Sequence, residues 1–183
     1  MTASNNRTNP LQRASVGKET LEKRRHIPKP HSEGIQKQKT VEKTLIIIKP
    51  DHFHLADIIL KELDKYGKRV KTARIYAVPK ELVEQHYSVH KGKMFYEWLI
   101  DSFAGRPVVI AVYEGKSIIQ KFSEVIGSTD PAKASKDSIR GKYSTDSQDL
   151  AISEKRSTQN VIHRSDSVKE AKREIKIWEQ FLG

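Results

Sequence analysis

The sequence predicts an α/β chain of the α+β kind: a ferredoxin-like βαββαβ domain with an antiparallel four-stranded sheet, flanking helices and a disordered N-terminal arm. Three observations predict it. Short runs that are continuously apolar or β-branched alternate with stretches whose apolar residues recur every three to four positions. This patterning starts only near residue 41, and what precedes it is polar, basic and poor in large apolar side chains. Strands alternating with helices in this order fit such a sheet, with the helices expected on one face.

Residues 1–40 hold too little apolar surface to offset the entropy of ordering, which predicts a disordered basic extension ahead of a domain at 41–183. Residues 1–43 carry ten Lys/Arg against four Asp/Glu, and the other 140 carry 24 against 19. Over half of the +11 net charge therefore sits on the first quarter, so any nucleic-acid partner is expected on the arm. The first eighteen residues lack acids, as organelle transit peptides do, but Leu11, Ala14 and Val16 make a poor amphipathic face. A flexible extension and a cytoplasmic location are the expectation, with organelle targeting left open. No cysteine is present, which excludes disulfides, thiolate metal sites and a cysteine nucleophile. No apolar run approaches the roughly 20 residues of a membrane span, so a soluble protein without a membrane partner is expected.

The elements follow in order. Leu45–Ile48 reads as a buried strand closed by Lys49, Pro50 and Asp51. Leu55, Ile58, Ile59, Leu63 and Tyr66 are spaced as a helix face, with Gly67 as its stop signal. Val70–Val78 reads as a second strand, and Pro79 opens a helical hairpin over 80–104. Pro107–Tyr113 is a third strand, followed by a helix through Ile118, Ile119, Phe122, Val125 and Ile126. Residues 127–159 read as loop. Asn160–His163 is a short strand, and a last helix runs from Val168 to Leu182 behind the capping box Ser167–Glu170.

The strongest chemical signal is Asn160, Val161, Ile162, His163, Arg164, Ser165, Asp166, Ser167, an imidazole at a strand end running into a capped helix. With Lys49, Pro50, Asp51 after the first strand and Ser138, Ile139, Arg140, Gly141 in the long loop, it closely resembles the nucleoside diphosphate kinase family, collinearly over about residues 41–182. The octet is specific, whereas either shorter motif alone is weak. The resemblance implies a kinase that passes the terminal phosphate of ATP or another nucleoside triphosphate to a nucleoside diphosphate by a ping-pong route through phospho-His163. It also implies a homo-oligomer.

A neutral imidazole is a suitable phosphoryl acceptor near neutral pH. Glu174, eleven residues on and about three helical turns along, is placed to fix its tautomer. In the family the matching glutamate does so with the serine matching Ser165. A lone histidine is more often structural; within this octet the odds reverse. Transition-state charge calls for cations, and Lys49 and Arg140 are the candidates against ordinary surface charge. The resemblance puts Lys49 near the terminal phosphate and ribose, Arg140 and Thr129 on the outer phosphates, and Asn160 on the sugar 3'-hydroxyl, although Thr129 also reads as a turn residue. Phe95 suits base stacking or core packing, and Tyr87 is either a hydroxyl near the histidine or a core tyrosine. No dedicated metal cage is visible. His52 and His54 read as solvent-facing, and the Mg2+ cofactor is expected on the nucleotide phosphates.

The chain departs from the family pattern. The loop after Asp51 is about two residues short, and Ser123 stands where the family has a phosphate-binding arginine. Arg164 replaces a small residue, and roughly ten extra residues form an insertion at about 144–158. Arg156 and Arg164 are candidate substitutes for the missing cation. The chain ends at Gly183 directly after the last helix, which leaves a smaller oligomer open. One alternative is a weakened kinase-like binding or regulatory protein that takes nucleotide or nucleic acid. A ferredoxin-like RNA-binding module would want exposed aromatics on its strands, where this chain has aliphatics.

Overall fold

The structure is a computed structural model describing residues 40–183. Apart from Thr40, the expected arm and any targeting signal in it lie outside the described residues. Four strands, β1 (Val41–Ile48), β2 (Lys68–Ile75), β3 (Val108–Lys116) and β4 (Ile162–Arg164), form one sheet in the order β2-β3-β1-β4. Every pairing is antiparallel, with β1 flanked by β3 and β4. This is the predicted sheet.

Helices cover both faces rather than one. Leu45 and Ile47 of β1 point to one core with α2 (Lys80–His86), α3 (Tyr96–Asp101) and α7 (Val168–Trp178). Ile46 and Ile48 point to a second core with α1 (Ala56–Leu63), α4 (Ile118–Ile126) and α5 (Ile139–Tyr143). The cause is the unbroken apolar run: alternate side chains point to opposite faces, so four consecutive aliphatics require cover on both sides. Burying each removes about 1.5–3 kcal/mol of apolar exposure relative to solvent.

Other boundaries shift for local reasons. Pro50–Leu55 winds as a 3-10 turn before α1, whose last residue is Leu63, and Tyr66 is half-exposed beyond it. Gly67 is therefore not the helix stop; its missing side chain leaves room for Ile118. The stretch 127–159, read as loop, contains a 3-10 turn at Pro131–Lys133, α5, and α6 (Gln148–Ser153). Asp130, Ser138 and Ser147 start these three by accepting backbone N–H bonds, so residues that looked loop-forming are N-caps. Ser167 caps α7 as expected, while the Glu170 carboxylate turns to Arg173.

Candidate active site

β4 is short because the backbone before it is bent. Ile162 N–H donates to the Asn160 carbonyl across Val161, whose φ of 69° is a left-handed conformation that a β-branched side chain rarely adopts. Neighbours hold it there: Val161 is buried, and its carbonyl accepts the Lys49 N–H at 2.9 Å. The bend sets Asn160, His163 and Lys49 around one point, with His163 paired opposite Ile47 in the sheet. Backbone strain at such a junction is stored where surrounding packing over-determines it.

His163 Nε2 lies 3.1 Å from Glu174 Oε2. The same oxygen accepts the Ser165 hydroxyl at 2.6 Å, and Ser165 Oγ in turn accepts the Leu45 N–H at 3.1 Å. Burial pushes the Glu174 carboxyl upward, yet the bond and charge of His163 and the Ser165 bond hold it below its ordinary value. An ionised carboxylate only accepts, so Nε2 carries the ring proton. Nδ1 is left with its lone pair.

Beside this dyad, the ring of His86 stands edge-on to His163 with centroids 4.6 Å apart. His86, His163 and Glu174 lie close enough together to suggest a metal. The donor chemistry does not fit. Trp178 Nε1–H donates to His86 Nδ1 at 3.1 Å, and indole is a donor only, so neutral His86 must keep its proton on Nε2. That nitrogen is buried without a hydrogen-bond partner among the described residues and has no lone pair to offer. Burial, followed by the charge of His163, holds the His86 imidazole well below its usual protonation range.

Two cations converge on the cleft, one from the end of β1 and one from α5. Lys49 is buried and donates to the Thr158 carbonyl at 3.2 Å; burial, with Arg140 nearby, lowers its pKa to about 7. The Arg140 guanidinium is fixed by the carbonyls of Asn160, Gly127 and Ile162 at 2.8–3.1 Å, and burial and then Arg164 lower its pKa to about 10. Neither cation is in a salt bridge among the described residues. Gly141 follows because any side chain there would run into the Ser135 carbonyl.

These groups border one cleft of about 510 Å³, lined by Lys49, Thr129, Arg140, Asn160, His163 and Arg164 at its polar part. A ladder of rings leads away from the histidine: His163 to Tyr87 at 5.9 Å, Tyr87 to His90 at 6.1 Å, and His90 to Phe95 at 5.7 Å. Phe95 is 38% exposed at the far end. A cationic end and an aromatic end joined by one cleft suit a nucleotide. The family profile described as nucleoside diphosphate kinase matches residues 42–181.

The chain belongs to the nucleoside diphosphate kinase family.

The nucleoside diphosphate kinase of Pyrococcus furiosus is 39% identical over 140 residues, covering 75% of this chain and 83% of that one. The spinach protein named nucleoside diphosphate kinase 2, chloroplastic, is 39% identical over 155 residues, 84% of this chain and 61% of that one. Among solved structures, a transition-state mimic of the Borrelia burgdorferi nucleoside-diphosphate kinase with vanadate and ADP superimposes with a TM-score of 0.72 at 28% identity. It covers 78% of this chain and 90% of that one.

Against this family frame, the structure brings Lys49, Tyr87, Phe95, Thr129, Arg140, Asn160 and His163 to the same cleft, with Glu174 directly behind the histidine. Tyr87 is buried in the core, and its ring stands edge-on to that of His163. Arg156 and Arg164 also line the cleft but differ in pairing. Arg156 is held by both oxygens of Asp146 at 2.7 and 2.9 Å and by Glu154 at 2.6 Å. Arg164 pairs with exposed Asp166 at 2.7 Å and donates to Ser123 Oγ at 2.9 Å, while its buried Nε has no partner among the described residues. His52, expected in solvent, is buried and bonds the Tyr143 carbonyl at 3.1 Å, while His54 is exposed. Sequence reasoning missed the Thr158 carbonyl on Lys49, the strained Val161 and the His86–Trp178 lock. Backbone groups leave no side-chain signal, and Val161 carries no glycine or asparagine to mark its conformation.

Proposed function

We propose that the cleft performs ping-pong phosphoryl transfer between nucleotides, with His163 as the carrier. The bare Nδ1 of His163 attacks the terminal phosphorus of a nucleoside triphosphate such as ATP. An N–P bond forms, and the bond to the bridging oxygen breaks. The departing nucleoside diphosphate keeps the electron pair, and Lys49 and Arg140 offset its charge. Nε2 keeps its proton on Glu174 throughout, so the ring needs no separate base. A second nucleoside diphosphate then enters the same cleft, and its terminal oxygen takes the phosphoryl group back from Nδ1. The observation that carries this reading is the Glu174–His163 bond, because a carboxylate on Nε2 favours the tautomer with a free lone pair on Nδ1.

Supporting roles follow from position. Asn160 gives its Nδ2–H to the Thr129 carbonyl at 2.9 Å, and its buried Oδ1 has no partner among the described residues, as an acceptor for a sugar hydroxyl would. Thr129 lies at the phosphate end, Phe95 stacks the base, and Tyr87 backs the histidine. Arg164 supplies the additional phosphate cation, since its only carboxylate partner among the described residues is an exposed one; Arg156, doubly paired, serves the insert. Mg2+ fits this donor set as a passenger on the phosphates, with Asp166 the one carboxylate lining the cleft among the described residues; when bound it would offset phosphate charge. Self-association also belongs to this reading, because the outer edge of β2 is unpaired among the described residues and Tyr76 beyond it is exposed.

The test is to incubate the protein with ATP and Mg2+ and look for an acid-labile, alkali-stable phosphate that is lost in His163→Gln. An unphosphorylated wild type would favour a nucleotide-binding protein without kinase activity.

A further inference from the structure

We propose that Arg173 on α7 is a positioning residue for the phosphoryl carrier: its guanidinium joins the end of α2 to the Glu174 carboxylate, so that the ring backing His163 and the group holding it are fixed as one unit. This rests on the phosphoryl-transfer reading and adds a residue outside both the octet and the lining of the cleft.

The guanidinium uses all three of its nitrogens. Nε donates to Glu170, one helical turn back, at 2.9 Å, which leaves the two Nη groups for α2. Nη2 donates to the His86 carbonyl at 3.1 Å and Nη1 to that of Gln85 at 3.4 Å. The last carbonyls of a helix have no partner within it and lie at the negative end of its dipole, so a cation fits there. Nη2 also lies 3.7 Å from Glu174 Oε1, the oxygen that neither His163 nor Ser165 uses.

What Arg173 touches on either side meets again at His163. Glu174 holds Nε2, and His86, whose carbonyl Arg173 holds, stands against the ring with centroids 4.6 Å apart. Tyr87, the next residue, stands edge-on at 5.9 Å. Arg173 and Glu174 are neighbours on α7 and so project about 100° apart, which lets one reach α2 while the other reaches β4. A planar fork can span two carbonyls and approach a carboxylate, whereas a lysine offers its charge at a single point. The groups facing Glu174 are His163 on β4, Ser165 just after it, Arg173 beside it, and His86 and Tyr87 at the end of α2. Arg173 is the one permanent cation among these. Its charge opposes proton uptake by the carboxylate and by the imidazole that the carboxylate holds.

The experiment follows the His163 ring by NMR through a pH titration of the free full chain, and single-turnover phosphorylation by ATP over the same range, in wild type, Arg173→Ala and Arg173→Lys. Removing the cation should move the titration midpoint and the acid limb of the rate to higher pH together, because the histidine and glutamate titrate as a pair. Near neutral pH, phosphorylation in Arg173→Ala should slow roughly three- to tenfold, with ADP affinity within about twofold of wild type. Arg173→Lys keeps a charge beside Glu174 without the fork, so its midpoint and acid limb should stay with wild type while its melting temperature falls as in Arg173→Ala. An Arg173→Ala protein that titrates and reacts like wild type overturns the proposal. So does a slowed Arg173→Ala whose midpoint is unmoved, or one that loses ADP affinity in step with rate, since either would mean only a displaced α2. A wild type that forms no phosphohistidine fails the carrier reading instead, and the titration of the free chain still decides the role of Arg173.

Discussion

Ser165 and Glu174 share a buried hydrogen bond of 2.6 Å, and the acceptor oxygen is the one that also holds His163. The carboxylate is thus aimed by the serine before it aims the imidazole. Glu174→Gln keeps the shape but removes the charge that favours the proton on Nε2. Loss of a charged hydrogen bond of this kind is worth about 1.5–3 kcal/mol, so single-turnover phosphorylation of His163 should slow roughly 10- to 100-fold with ADP affinity unchanged. Ser165→Ala leaves the charge in place and should slow it less than Glu174→Gln.

Lys49 predicts a proton uptake. Burial, with Arg140 beside it, lowers its pKa to about 7, so near neutrality about half of the free protein carries it uncharged. Polyphosphate binding favours the ammonium and raises that pKa. Calorimetry in buffers of different ionisation enthalpy should therefore show net proton uptake with ADP at pH 8, where the phosphates are already ionised, and little at pH 6. In Lys49→Arg the uptake should vanish. The sign for stability is opposite to that of a salt-bridged lysine: the unfolded chain keeps this proton up to the ordinary value of 10.5, so the free protein gains stability as pH rises above about 7. A flat pH profile in wild type would contradict the burial argument.

How far the sequence foretold this site depends on what kind of feature is asked for. The end of β1 at Ile48, the octet and the eleven-residue step to Glu174 are legible because they are side chains at fixed spacing on regular elements, whereas β2 and β3 end at Ile75 and Lys116 rather than at Val78 and Tyr113. The run Leu45–Ile48 already contained the answer about cover, since a strand solvated on one face alternates, and this one does not. The helices at 139–143 and 148–153 were hidden because Ser and Asp mark caps as well as loops. The pairing of Arg156 with Asp146, ten residues apart across an irregular segment, obeys no spacing rule, and so the two candidate arginines were inseparable before the fold was known.

Those two arginines now separate by measurement. Arg164 reaches Ser123 from β4 and keeps a buried N–H without a partner, so Arg164→Ala should raise the KM for nucleoside diphosphates about tenfold and weaken inorganic pyrophosphate comparably. Arg156→Ala should leave pyrophosphate binding near wild type and lower the melting temperature instead. If both variants keep the wild-type KM, neither arginine serves as a phosphate cation.

Asp146 gives the last prediction, and it concerns acid. The Arg156 bond, with backbone N–H bonds from Gln159 and Ser147, lowers the Asp146 pKa to about 2 from the ordinary 3.8. A lowered folded-state value means the unfolded chain binds the proton first, so this contribution is complete above pH 4 and fades as pH falls through about 2. Asp146→Asn removes the charge at every pH and leaves Arg156 with the Glu154 carboxylate and the Ser157 carbonyl among the described residues. The cost should be about 1–2 kcal/mol, or about 3–6 °C in melting temperature at neutral pH, shrinking toward zero in strong acid as the wild-type aspartate is itself protonated. Limited proteolysis at neutral pH should cut the variant first between residues 144 and 158. A variant that melts with wild type at pH 7 would mean that the Ser144 hydroxyl on the Gln159 carbonyl and the Gln148 N–H on Asp130 hold the insert without the ion pair.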